Sequence, residues 1–246
     1  MPRFFVNADD IREGYAYISG EDASHISFSL RMARGEEICV CDGTGMEYRA
    51  LLCDFSDSCV TAKIVDGKMS DSEPRIKITL YQAYPKKDKM EFIVQKAVEL
   101  GAVSIVPFES ERCIKRPKEE KIDRQTARLS KIAREAAKQC GRAILPQVSS
   151  PCTFGKALDM SGDDDLRLFC YEGEGTSPIC DILGAREQKE VRSVAVFVGS
   201  EGGFSENEAK AARESGCIMC GLGRRILRCE TAPIFALSSL IYRYDL

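Results

Sequence analysis

Residues 193–208 read SVAVFVGSEGGFSENE, and this stretch decides the fold. Ser193–Val198 is an unbroken apolar run, the pattern of a strand buried on both faces of a parallel sheet. It passes directly into Gly199-Ser200-Glu201-Gly202-Gly203. After Phe204 comes Ser205, a good N-cap, with Glu208 three residues on, the spacing of a capping box. Strand, glycine-rich loop and helix in that order put the loop at the carboxyl edge of a parallel sheet. Ligands bind there, because backbone without side chains permits close approach. The loop is neither a G-x-G-x-x-G fingerprint nor a P-loop, since it lacks the Lys-Ser/Thr pair. Gly202 and Gly203 also suit a plain tight turn, the lesser of the two readings.

Two further strand ends carry glycine. Tyr171-Glu172-Gly173-Glu174-Gly175 follows a strand at Leu166–Cys170, and Gly221-Leu222-Gly223 follows one at Ile218–Leu222. The latter continues as RRILRCETA, Arg224–Ala232, into an apolar helix at Thr231–Tyr242 with Pro233 in its first turn. Upstream, Ile76–Gln82 and Val103–Pro107 read as strands, Asp88–Leu100 as a helix closed by Gly101, and Glu206–Ser215 as a helix stopped by Gly216. Strands alternating with helices predict an α/β domain with a mainly parallel sheet. Three glycine-bearing strand ends predict one pocket lined mainly by backbone, suited to an adenine and a small zwitterion better than to a triphosphate.

The first 70 residues differ. Phe4–Val6, Tyr15–Ile18, Glu37–Cys41, Tyr48–Leu52 and Cys59–Val65 are short β-rich runs separated by turn residues, which suggests a small β-barrel. One helix is expected at Ala23–Ala33, capped by Asp22. The polar Met69–Pro74 marks a boundary, giving domains 1–72 and 73–246. Charge is also uneven: residues 1–72 hold seven Lys/Arg and thirteen Asp/Glu, whereas 112–142 hold eleven and four. The basic stretch, with apolar Ile122, Leu129, Ile132, Ala133, Ala136 and Ala137 after Pro117, reads as an amphipathic helix. Its cations suit either a solvated face or a phosphate-binding surface.

Composition narrows the class. A chain of 246 residues, 44% hydrophobic and 30% charged, is neither disordered nor fibrous. No apolar run approaches the ~18 residues of a membrane span, and MPRFFVNADD is not a signal peptide. The twelve cysteines are too sparse for a disulfide scaffold, so a cytoplasmic chain with reduced thiols is expected. Cys217-Ile218-Met219-Cys220 has C-x-x-C spacing, but no second pair accompanies it and His25 is the sole histidine, so no metal is expected. One histidine also makes a Ser–His or Cys–His nucleophile improbable.

With these residues in view, the chain resembles the bacterial 16S ribosomal RNA uracil-N3 methyltransferase family, a branch of the SPOUT (trefoil-knot) methyltransferases. The resemblance covers nearly the whole chain. It takes in Arg3-Phe4-Phe5, His25, Leu30-Arg31, Gly35, Gln95-Lys96, Glu99-Leu100-Gly101, Glu111-Arg112, Glu135-Ala136, Gln139 and Arg142. It is strongest at Gly199–Phe204 and at Leu222-Gly223, Ile226-Leu227-Arg228 and Glu230-Thr231-Ala232. Ser200 stands where the family usually has Pro, and Arg224 where Pro or Lys is common.

The resemblance implies a PUA-like β-barrel before a knotted SPOUT domain, S-adenosylmethionine as methyl donor, a homodimer without metal, and a uridine of 16S rRNA in the small ribosomal subunit as acceptor. The donor is expected at Tyr171, Glu172, Gly199, Ser200, Glu201, Gly202, Gly203, Leu222, Gly223, Ile226, Leu227, Arg228, Thr231 and Ala232. RNA is expected at Arg3, His25, Arg31, Lys86, Lys96, Arg112, Lys131, Arg134, Lys138 and Arg142. Chemistry at N3 needs in-line positioning and stabilisation of an imidate anion, for which Arg228 is the first choice. Glu201 and Glu230 are the nearest bases, with water as the alternative, and the target base must be unpaired or flipped out. The rivals are a SPOUT enzyme acting on a ribose 2′-OH or another base, and a non-catalytic RNA-binding ribosome-assembly factor. Ile234, Leu237, Leu240 and Ile241, widened by Phe235 and Ala236, are expected to form the dimer face.

Overall fold

The computed structural model describes residues 1–56, 58–86, 88–114, 116, 119–187 and 191–246. Pro117, the expected helix breaker, lies outside them. The chain divides into two compact units: Met1–Glu73 with Ala137–Leu145, and Pro74–Ala136 with Pro146–Leu246.

In the first unit β1 (Arg3–Phe5), β2 (Ile11–Arg12), β3 (Tyr15–Ser19), β4 (Glu37–Cys41), β5 (Met46–Phe55) and β6 (Cys59–Met69) form one sheet in the order β1-β4-β5-β6-β3-β2. Only β1 and β4 pair in parallel among the described residues. Register shifts at Arg49/Ala50 and Leu52/Asp54 bend β5 against β6. The pairing runs as a path from β1 to β2 rather than a closed ring, so the expected barrel is a half-barrel. Its core buries Phe4, Ile18, Ile38, Val40, Leu52 and Val60 from the strands, with Ile26 from the turn after α1 packed among them.

The helix expected at Ala23–Ala33 is much shorter. α1 is Gly20–Ser24, and a single π-type turn, His25–Ser29, follows it. The Met32 N–H closes on the Ile26 carbonyl and Arg31 takes φ +52°, a left-handed conformation that a right-handed helix cannot pass through. Ser19, not Asp22, holds the N-cap position.

Asp22 instead pairs with Lys138 at 2.7 Å. Three residues expected on RNA are therefore held in ion pairs within this unit. Lys138 is spent on Asp22, and Arg3 donates to Glu47 and to the Cys41 sulfur at 3.1 and 3.0 Å. Arg142 is 3% exposed and holds Glu73 at 2.7 Å, whose other oxygen accepts the Ala143 and Ile144 N–H groups. A buried guanidinium with a carboxylate partner is a structural tie, since freeing it for phosphate would strand the acid.

The second unit carries β7 (Lys77–Ala83), β8 (Ala102–Glu109), β9 (Gln147–Val148), β10 (Cys152–Thr153), β11 (Leu166–Cys170), β12 (Ser177–Pro178), β13 (Ser193–Val198) and β14 (Ile218–Gly221). They form one sheet, β10-β8-β7-β13-β11-β14-β12 with β9 beside β8, and every described pairing is parallel. β13 lies between β7 and β11, and all its residues after Ser193 are buried, as its apolar sequence requires.

The helices are α2 (Lys89–Glu99), α3 (Ile122–Cys140), α4 (Phe154–Met160), α5 (Ile179–Gly184), α6 (Glu206–Glu214) and α7 (Thr231–Tyr244). In α2 the buried Met90, Ile93, Val94, Ala97 and Val98 make one face at helical spacing. Gly101 ends this helix at φ +84°, and a Cβ there would strike the Pro74 ring and lie 3.2 Å from Ile241 Cδ1. α7 departs from expectation: Leu237 and Leu240 are fully buried within their own unit, so they form core rather than a dimer face. Its outer side shows Phe235 and Tyr242 instead, at 41% and 78% exposure.

Candidate functional site

β13, β11 and β14 are consecutive in the sheet, so the loops leaving their carboxyl ends are neighbours in space. Together they enclose a cavity of about 900 Å³. Cys170, Tyr171, Glu172, Gly173 and Thr176 come from the first strand end, 198–204 and Glu206 from the second and 221–229 from the third, with Lys89, Arg112 and Ala232 completing the wall. The expectation that three glycine-bearing strand ends build one pocket is realised in this geometry.

The second loop is held from four sides. Gln82, fully buried at the end of β7, donates from Nε2 to the Gly199 carbonyl at 3.2 Å. The Gly203 N–H closes a tight turn on the Ser200 carbonyl at 2.9 Å, with Gly203 at φ +64°. Gly202 packs against Arg112, whose Nη1 donates to the Gly202 carbonyl at 3.2 Å. Phe204 turns inward to pack against Phe169, ring centroids 4.1 Å apart and planes tilted by 34°. The tight-turn reading describes this backbone. A Cβ at Gly199 would sit 3.1 Å from the Gly203 backbone, a tight contact that the turn meets without strain only over glycine.

α6 then starts with the capping box foreseen in the sequence: Ser205 Oγ accepts the Glu208 N–H and the Glu208 carboxylate accepts the Ser205 N–H. The same carboxylate also accepts Ser110 Oγ and the Glu111 N–H at 3.1 and 2.9 Å, fastening the segment that carries Arg112.

A charge cluster stands at one wall. Lys89 Nζ is 3.1 Å from Glu201 Oε1 and 3.0 Å from Glu230 Oε2. Burial pushes both carboxyls up, but hydrogen bonds outweigh it and leave both below the ordinary carboxylate range. For Glu201 these come from its own N–H, Lys89 and the Lys86 N–H; for Glu230 from Lys89 and the Cys229 thiol. The same bonds raise the Lys89 ammonium. Burial, helped by the neighbouring Glu230, pushes the Cys229 thiol up to about 12, so it stays protonated. Cys170 is raised by its hydrogen bond with Cys220, its register partner, and by burial. The site therefore has acidic and basic groups but no thiolate. On the third loop Arg224, Arg225 and Arg228 are all exposed, and Ile226 between them is 81% exposed.

Of the residues expected to hold a donor, Tyr171, Glu172, Gly199, Ser200, Glu201, Gly202, Gly203, Leu222, Gly223, Ile226, Leu227, Arg228 and Ala232 line the cavity. Thr231 does not: it is exposed at the start of α7, its N–H closing a turn on the Arg228 carbonyl. Arg112, expected on RNA, lines the cavity. Lys96 is tied to Glu99 at 2.8 Å on α2. His25 and Arg31 are exposed in the first unit, and Lys86 and Lys131 are exposed in the second. Arg134 is half-buried.

Lys89 escaped the sequence reading. A cation at the first position of a helix opposes the helix dipole, and that anomaly was its one signal. Among the described residues no group of three or more His, Cys, Asp or Glu is placed to hold a metal ion, and no helix is long and apolar enough to cross a membrane.

Residues 72–241 match the model of the RNA methyltransferase domain family. The Bacillus subtilis (strain 168) protein called ribosomal RNA small subunit methyltransferase E is 33% identical over 251 residues, spanning 100% of this chain and 98% of that protein. A Synechocystis protein of the same name is 31% identical over 97% of this chain and 76% of its own length. Among solved structures, a ribosomal RNA small subunit methyltransferase E from Neisseria gonorrhoeae bound to S-adenosyl methionine matches with a TM-score of 0.86. It is 32% identical and covers 98% of this chain and 97% of that one.

Proposed function

The chain belongs to the RNA methyltransferase family that includes the ribosomal RNA small subunit methyltransferase E proteins, and on that premise we propose that it methylates N3 of a uridine in 16S rRNA with S-adenosylmethionine as donor. The observation that carries this reading is the convergence of three loops from adjacent parallel strands on a single cavity. About 900 Å³ lies within the range of small-molecule sites, and the glycines in its wall leave backbone groups open to an adenine edge and an amino-acid moiety.

The donor-holding residues in this reading are Tyr171, Glu172, 199–203, Leu222, Gly223, 226–228 and Ala232. When bound, S-adenosylmethionine supplies a methyl group on a sulfonium, whose C–S bond breaks as N3 of the uracil forms the new N–C bond. The chain supplies orientation and charge. The loops fix the direction from which N3 must approach, which is the entropic part of the work. Arg228, exposed at the cavity edge, stabilises the imidate oxygens as N3 gives up its proton to water. Glu201 and Glu230, both already hydrogen-bonded to Lys89, serve as anchors rather than as the base.

RNA contacts are assigned separately in each unit: His25 and Arg31 on the half-barrel, taken as PUA-like, and Lys86, Lys131, Arg134, Arg224 and Arg225 on the second. The second unit is taken to carry the trefoil knot and to form a homodimer through Phe92, Phe235 and Tyr242, exposed aromatic residues of α2 and α7. A modified ribosomal RNA places the work in the cytoplasm. Nucleoside mass spectrometry of small-subunit rRNA from cells with and without the gene tests the activity. Loss of 3-methyluridine supports it, and an unchanged nucleoside profile overturns it.

A further inference from the structure

Lys89 is the first residue of α2, and its surroundings are unusual for that position. A cation there works against the helix dipole, and the acid of that turn, Glu91, is already paired with Arg128 at 2.8 Å. Helix stability therefore gives no reason for a lysine. The ammonium instead spans two separate pieces of the cavity wall. Glu201 sits on the loop after β13, and Glu230 ends the loop after β14, where α7 begins. The Cys229 sulfur, 3.7 Å away, takes the third donor direction. The Lys86 N–H binds both Glu201 oxygens, at 3.1 and 3.2 Å, so the segment before α2 grips the same carboxylate. All three charged side chains are at most 28% exposed, which shields the cluster more than an ordinary surface pair.

We infer that Lys89 is a positioning residue for methyl transfer: one ammonium ties the Glu201 loop to the Glu230 loop and so sets the spacing between two walls of the donor cavity. The inference rests on the methyltransferase reading and deepens it. Its physical content is that two carboxylates facing one cation hold their loops together, whereas without the cation they repel and the loops part. Lys89 touches neither base nor methyl in this account.

The test compares the parent with Lys89→Met, Lys89→Arg and Glu230→Gln. Calorimetry measures S-adenosylmethionine affinity from pH 5 to 8, and urea unfolding establishes that each variant is folded. Lys89→Met should weaken affinity by about tenfold. It should also create a pH dependence, affinity recovering as the solution is acidified below about pH 6, because two carboxylates deprived of their cation share a proton more readily and then no longer repel. The sign follows from the parent: its carboxylates sit below their ordinary range and stay charged across that window. Lys89→Arg should restore the flat profile. Glu230→Gln should weaken binding in the same direction, and combining it with Lys89→Met should cost less than the two losses together. A folded Lys89→Met with the parent's affinity and flat profile overturns the inference, as do fully additive losses. Should Lys89→Met not fold, parental affinity in Glu230→Gln overturns it. A parent that binds no S-adenosylmethionine at all strikes the methyltransferase reading itself, so the two failures are distinguishable.

Discussion

Ser205 and Glu208 hold each other: the Ser205 N–H donates to Glu208 Oε2 at 2.9 Å, and Ser205 Oγ accepts the Glu208 N–H at 3.2 Å. Because Glu208 also receives Ser110 and Glu111, one 6%-exposed carboxylate caps α6 and fastens the Arg112 segment to the cavity loop. Glu208→Ala removes the carboxylate that accepts the Ser205 N–H, Ser110 Oγ and the Glu111 N–H, and leaves those donors unpaired. A loss of about 3 kcal/mol in urea unfolding is expected, with weaker donor binding alongside. An unfolding midpoint equal to the parent's would mean the network contributes nothing.

Two glycines of the same loop should respond differently. Gly203 has a positive φ with open space beside it, so Gly203→Ala should cost about 1 kcal/mol of stability and leave the cavity free. Valine at 203 adds a β-branch to that left-handed backbone and strains the fold itself, so it cannot report on crowding alone. Gly199→Ala instead sets a Cβ 3.1 Å from the Gly203 backbone, so the turn must shift by a few tenths of an ångström. Donor affinity measured by calorimetry should fall far more for Gly199→Ala than for Gly203→Ala; the reverse order would place the donor elsewhere.

The basic residues divide by burial. Arg142→Ala strands Glu73 in the first unit and should destabilise by about 3–5 kcal/mol. Arg224→Ala with Arg225→Ala touches only exposed side chains and should leave unfolding unchanged. In that double variant the slope of log affinity for rRNA against log salt should shrink by about 2. An unaltered slope would remove the third loop from the RNA surface.

For the dimer, the informative substitutions lie on the outer side of α7. Phe235→Asp with Tyr242→Asp should give a folded monomer by light scattering with little methyl transfer. Leu237→Lys, by contrast, buries a charge in the core and should unfold the second unit. A dimer persisting in the first variant would put the interface on another face.

What the residues determined by themselves is the local grammar. The apolar run Val194–Val198, ending in a glycine loop, read as a central strand, and Ser205 with Glu208 wrote the capping box three residues apart. Glycines at three strand ends announced a pocket, because chain order in a parallel sheet delivers successive loops to one edge. Periodicity failed where contacts are few or nonlocal. The two-residue strands β9, β10 and β12 carry no pattern, and the expected Ala23–Ala33 helix broke at Arg31, whose left-handed backbone no propensity signals. Which cations face solvent was likewise beyond the sequence. Arg3, Lys138 and Arg142 look like any other basic residues until Glu47, Asp22 and Glu73, distant along the chain, claim them. Tertiary structure alone turned Leu237 inward, and it alone brought Glu201 and Glu230 to Lys89. Such pairings depend on the path of the whole chain, since an ion pair forms where folding places its partners rather than where composition puts the charges.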